Sequence, residues 1–167
     1  IWERIIMVLR RMKRRGKGGE SRGLIYYSAS LATKLVKVVR KGIVNDVLRR
    51  VEQNLSPRID AAEEYVADAF DALYHFSLAL MQEKEPESQE VSIRITETAF
   101  SREGWVEIDR KFSVLRIRLK ELHEEIKSFT DFLLDYESEN DFARLIVEFR
   151  GVANKLDYYS DVIATFL

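Results

Sequence analysis

Between Trp105 and Tyr136 the apolar residues fall alternately three and four apart: Trp105, Ile108, Phe112, Leu115, Leu119, Leu122, Ile126, Phe129, Leu133 and Tyr136. That spacing draws one narrow apolar stripe along a helix of about nine turns. A stripe of this kind needs a matching one to cover it, packed close to antiparallel at about 20°. The next segment supplies it, with Phe142, Leu145, Phe149, Val152, Leu156, Tyr159, Ile163 and Phe166 in the same rhythm. Only the short polar stretch Glu137-Ser138-Glu139-Asn140 lies between them, and a connection that short makes neighbouring helices antiparallel. The spacing therefore predicts a helical hairpin over 102–137 and 140–166. Ser101 is the expected N-cap, since its hydroxyl is placed to accept an orphan N–H of the first turn.

The earlier part of the chain reads the same way with more interruptions. Residues 58–83 carry Ile59, Ala62, Val66, Ala69, Leu73, Phe76 and Leu80 on one stripe, behind a proline, Pro57, that a first helical turn tolerates. Residues 22–55 carry Ile25, Ala29, Ala32, Val36, Val39 and Ile43, then Val44, Leu48, Val51 and Leu55 in shifted register past Gly42. A shift beside a glycine predicts a kink or a change of neighbour. Val91, Ile93 and Ile95 alternate as in a strand. A hairpin with 105–109 would compete with the stripe from Trp105, whose ten positions outweigh three. The expected fold is all-α: an antiparallel four-helix-bundle-like domain with long heptad-patterned helices over about 22–55, 58–83, 102–137 and 140–166. A short basic amphipathic helix and a Gly-rich linker over 1–21 precede it. The full 167 residues suit one such domain.

Composition removes most chemistry. There is no cysteine, and the two histidines, His75 and His123, lack the Glu-x-x-His spacing of di-metal carboxylate bundles. Asp71 and His75 stand one turn apart, yet they fall opposite the 59–80 stripe, as do Glu64 and Asp68. Glu121, Glu125, Asp131 and Asp135 are likewise off the seam, where acidic residues read as a solvated face. The glycines of Arg15-Gly-Lys-Gly-Gly-Glu-Ser-Arg-Gly23 lack the phosphate-loop spacing and follow no strand. No run approaches the roughly 18 apolar residues of a membrane span. These features lead to the expectation of a cytoplasmic, non-enzymatic protein with no catalytic residue, metal, cofactor or small-molecule substrate.

Charge is where the sequence departs from an ordinary helical domain. The formal net charge is only −1, but it is unevenly distributed. Residues 1–50 hold 14 Lys and Arg against Glu3, Glu20 and Asp46, a net of +11, which leaves −12 for residues 51–167. The basic residues Arg10, Arg11, Lys13, Arg14, Arg15, Lys17 and Arg22 cluster first, and Lys34, Lys37 and Lys41 follow three and four apart on one helix face. Such a row suits a polyanion, because each phosphate neutralised releases counterions. It also suits anionic lipid, at roughly 1 kcal/mol per basic residue near the surface. Beside it, Trp2, Ile5, Leu9 and Met12 form a short apolar seam that is expected to face a membrane or a partner. The two oppositely charged parts of the chain are equally suited to pairing with each other, within one molecule or between copies. Narrow seams favour helix–helix association, so a homo-oligomer or a helical partner is expected.

The segment Gly23-Leu-Ile-Tyr-Tyr-Ser-Ala-Ser-Leu-Ala-Thr-Lys-Leu-Val36 resembles the second helix of archaeal ESCRT-III-type membrane-remodelling proteins, a family that also pairs a basic N-terminal hairpin with acidic C-terminal helices. The resemblance covers roughly residues 4–55, and the hairpin at 102–166 lies outside it. It implies polymerisation on membranes. Nucleic acid, anionic membrane and an acidic protein surface thus all stand as expected partners, with nucleic acid favoured.

Overall fold

The strongest stripes become the longest helices. The computed structural model describes residues 1–13, 23–35, 41–84, 97–135 and 142–167. Among them the chain forms α1 (Trp2–Lys13), α2 (Leu24–Leu35), α3 (Lys41–Arg49), a π turn (Arg50–Leu55), α4 (Ser56–Lys84), α5 (Glu97–Phe100), α6 (Trp105–Leu134) and α7 (Ala143–Phe166). No strand occurs among the described residues. Val91, Ile93 and Ile95 lie outside them.

The expected hairpin is present. Phe129 meets Phe149 with ring centroids 5.2 Å apart, while Trp105 and Phe166 meet at 5.9 Å. Rising numbers in α6 thus meet falling numbers in α7, which makes the pair antiparallel. The nine described positions of the first stripe are all buried, from Trp105 to Leu133; Tyr136 lies outside the described residues. From Phe142 to Ile163 the second stripe is buried too, and Phe166 closes one end of the bundle against Trp105 and Phe112. Burying each such aliphatic or aromatic side chain is worth about 1.5–3 kcal/mol. The helix start differs from expectation. Gly104, at φ 96°, is the N-cap of α6, and the Ser101 hydroxyl instead donates to the Thr98 carbonyl oxygen in the turn after α5. A positive φ is open to glycine at little cost, and a Cβ there would sit 3.4 Å from the Phe76 ring.

Two expectations about the earlier helices need correction. The first is the break at Pro57. α3, the π turn and α4 follow one another without interruption from Lys41 to Lys84. Proline has no N–H to donate and its ring crowds the carbonyl four residues back. The π turn ends two residues before it, with the Ser56 N–H reaching five residues back to the Val51 carbonyl oxygen. This wider turn takes up one extra residue and lets the helix pass the proline. Asn54 and Arg58 flank the site and both reach Glu125 of α6, at 3.0 and 3.7 Å. Glu125 is accordingly half-buried rather than part of a solvated face.

The second correction concerns 22–55, which is not one long helix. α2 packs against α3 and against the π turn. On a straight helix residues 35 and 50 would stand roughly 22 Å apart, so contact requires the two helices to lie side by side. Among the described residues, three long helical stretches therefore carry the bundle: Lys41–Lys84, α6 and α7. α4 runs antiparallel to α6, as Phe76–Trp105, Phe70–Phe112 and Arg50–Phe132 show. α1 and α2 pack on the α7 side, α1 also against α4 and α2 also against the π turn.

Candidate functional site

α1 has two faces. Ile5, Val8, Leu9 and Met12 recur at helical spacing and are buried, docked against α2, α4 and α7. The expected membrane- or partner-facing seam is thus mostly the core face of the same chain. Ile5, Leu9 and Met12 are 0% exposed, and only Trp2 stands in solvent, at 47%. The reason is geometric: the α4 and α7 stripes leave a furrow between them, and the α1 stripe fills it.

Docking α1 in this way sets its other side along a groove. The groove has a volume of about 1070 Å³, and its cationic lining is Arg4, Arg10, Arg11 and Lys13 of α1 with Lys155 of α7. Among the described residues Glu63 of α4 is the only acidic one that lines it, and Met7, Val8, Gly23 and Tyr159 complete the wall. Two of the five cations have partners. Lys13 pairs with Asp60, and Arg11 lies 3.6 Å from Glu148, which also accepts from Arg144 at 3.2 Å. Among the described residues Arg4, Arg10 and Lys155 have no ion-pair partner. Basic residues in the last turn of α1 complement its dipole, but that accounts for neither Arg4 nor Lys155.

Of the expected polyanion-binding residues, the structure brings Arg10, Arg11 and Lys13 together. Arg14, Arg15, Lys17, Arg22 and Lys37 lie outside the described residues. Lys34 falls in α2 and Lys41 opens α3, with their side chains outside the described set. Sequence reasoning overlooked Arg4 and Lys155. Arg4 was legible, since it stands one heptad before Arg11 on the same helix face. Lys155 was not, because nothing along the chain announces which face of α7 will receive α1.

Protein-family models, curated proteins and solved structures were all compared with this chain. None matches it.

Several other polar groups are paired within the chain. The His123 Nδ1–H donates to the Ala153 carbonyl oxygen at 2.9 Å, which joins α6 to α7. Asp71 and His75 are both exposed, and among the described residues no group of three or more His, Asp or Glu is placed to hold a metal ion. No helix among them is long and apolar enough to cross a membrane. On α6, Arg110 grips Glu107 at 2.7 and 2.9 Å, and these hydrogen bonds hold the Glu107 carboxyl below the usual carboxylate range. Arg118 bonds Glu121 at 2.7 Å, and that bond, with Tyr65 beside it, raises its guanidinium above the ordinary value. What the groove offers chemically is different: guanidinium forks and an ammonium with spare donors, the groups that bind phosphate oxygens.

Proposed function

We propose that this chain acts by binding, not by catalysis, and that its groove holds the phosphate backbone of a nucleic acid. One observation carries the reading. Arg4 and Arg10 near one end of the chain and Lys155 near the other converge on one groove, with no anionic partner among the described residues. Unpaired like charges repel one another, so an arrangement that gathers them fits an external polyanion better than an internal one. The three large apolar side chains exposed on and beside α1, Ile1, Trp2 and Met7, favour a second reading, in which the same cations meet an anionic membrane, as in the ESCRT-III-type alternative. That reading is the weaker, because Ile5, Leu9 and Met12 are already buried and little apolar surface remains to insert. Self-association belongs to the proposal only through other surfaces, since the long seams are covered within one chain.

The test is binding of the full chain to a generic nucleic acid and to anionic liposomes at about 50 and 200 mM salt, a range over which phosphate contacts weaken steeply. Nucleic-acid binding with a steep salt slope is expected. Neutralising Arg4, Arg10 and Lys155 together to Gln should flatten that slope by about 2 to 3, since each cation removed leaves one phosphate with its counterions still condensed. An unchanged slope, or binding to liposomes alone, overturns the reading.

A further inference from the structure

We infer that the strand held by the groove is single-stranded, and that Tyr158 stacks one of its bases on the shoulder of α7 beside Lys155 and Gly151. The inference rests on the nucleic-acid reading above and deepens it.

Three features of α7 meet at this shoulder. Tyr158 stands three residues after Lys155, hence one turn along on a neighbouring face. It is 61% exposed, so the core does not need it. Its ring is nevertheless not loose: it packs edge-on against Tyr159, with centroids 5.5 Å apart, and Tyr159 is buried in the groove wall. A large aromatic side chain is thus braced from the groove side and left open to solvent.

Gly151 is the third feature. It lies in the interior of α7, four residues before Lys155, and is exposed. An added Cβ would meet nothing within 4 Å, and its φ is not positive. Neither packing nor backbone conformation calls for glycine there, although glycine in a helix interior is markedly less favourable than alanine. What a bare helix surface does permit is close approach by something outside the chain. Val147, four residues earlier on the same side, is also exposed and continues the shoulder.

A cationic groove that follows a backbone, with an exposed aromatic at its edge, is the arrangement by which proteins hold single strands. A duplex keeps the faces of its bases stacked on one another, so Tyr158 finds no π-face there; an open strand presents one at every nucleotide.

The experiment measures binding of the full chain to labelled oligothymidine, to an RNA of mixed sequence, and to a duplex of equal length, at fixed salt. Both single strands should bind more tightly than the duplex. Tyr158→Ala should weaken single-strand binding by about 5- to 100-fold, the value of one base–aromatic stack. Tyr158→Phe should bind like the parent, and neither variant should change the salt slope, since every cation that meets a phosphate is still in place. Gly151→Ala should raise the Tm and weaken binding at once. If duplex and single strands bind equally and Tyr158→Ala binds like the parent, the inference is overturned while the groove reading stands. If no nucleic acid binds, both fall. A Gly151→Ala chain that is stabilised and binds normally removes Gly151 from the contact.

Discussion

The α6–α7 hairpin and α1 bury their apolar faces by the same rule, yet they treat their charges differently. On the hairpin several outer charges are matched within a turn: Arg110 with Glu107, Arg118 with Glu121, Lys127 with Glu124, and Arg144 with Glu148. Pairs three or four residues apart each add a few tenths of a kcal/mol to a helix, ~0.2–0.5. α1 has only Glu3 to set against Arg4, Arg10, Arg11 and Lys13, and two of those four cations remain unpaired among the described residues. The helices of the hairpin carry as many acidic as basic residues, and α1 does not. Departures from local consistency tend to mark the places a protein keeps for its function, and here the departure coincides with the groove.

The largest expected effect tests whether the two regions are equally part of one fold. Phe129, in the core of the hairpin, and Met12, on the core face of α1, are both 0% exposed. Phe129→Ala should cost about 3–5 kcal/mol and Met12→Ala about 2–5 kcal/mol, read as shifts of a single urea transition. Two separate transitions would show that α1 is an attached arm and would break the comparison. Next in size is Gly104→Ala, at about 1–3 kcal/mol, because alanine is strained at a positive φ; an unchanged midpoint would mean that the turn before α6 relaxes. Smaller still is the effect of charge. Replacing Arg4, Arg10 and Lys155 by Gln should leave stability within about 0.5 kcal/mol per site, as for surface residues without partners, or raise it slightly by relieving repulsion. A clear loss would mean that these cations serve the fold itself, which removes the contrast with the hairpin.

The smallest effect concerns pH. The bonds from Arg110 lower the Glu107 carboxyl, so the folded-state value lies below the unfolded one. The pair's contribution is then present above the usual carboxylate range and is lost as the pH falls through the lowered value. Glu107 is exposed to solvent, so the change in stability is slight. An NMR titration should see the Glu107 carboxyl return to the ordinary range in Arg110→Gln; no movement would assign the lowering to another neighbour.

Much of the fold was legible along the chain. Every described residue of the stripe from Trp105 to Leu133 is buried, and so are Ile59, Ala62, Val66, Ala69, Phe76 and Leu80. The π turn also left a trace that a proline-based reading passes over: the buried residues Val47, Val51, Leu55 and Ile59 are separated by three successive steps of four. Alternating steps of three and four keep a stripe on one face of an α-helix. A run of fours therefore signals an inserted residue, at the place where the i→i+5 turn absorbs it. For the groove the balance is reversed. Arg10, Arg11 and Lys13 belong to a visible basic cluster, but Lys155, Glu63 and Tyr159 sit on helices whose charge pattern is ordinary.

Periodicity is a local property, and it determined what is local: which segments are helical, which face of each is apolar, and that the last two pair as a hairpin. It could not determine which stripe meets which when several are alike, because any apolar face covers any other at similar gain per unit area. Only the tertiary structure decided that α1 would lie between α4 and α7, with Ile5, Leu9 and Met12 turned inward. That choice rests on the shape left over after the three long helices have packed. With it came the meeting of Arg4, Arg10 and Lys155 on one groove, a property of the packed molecule that belongs to no segment of its sequence.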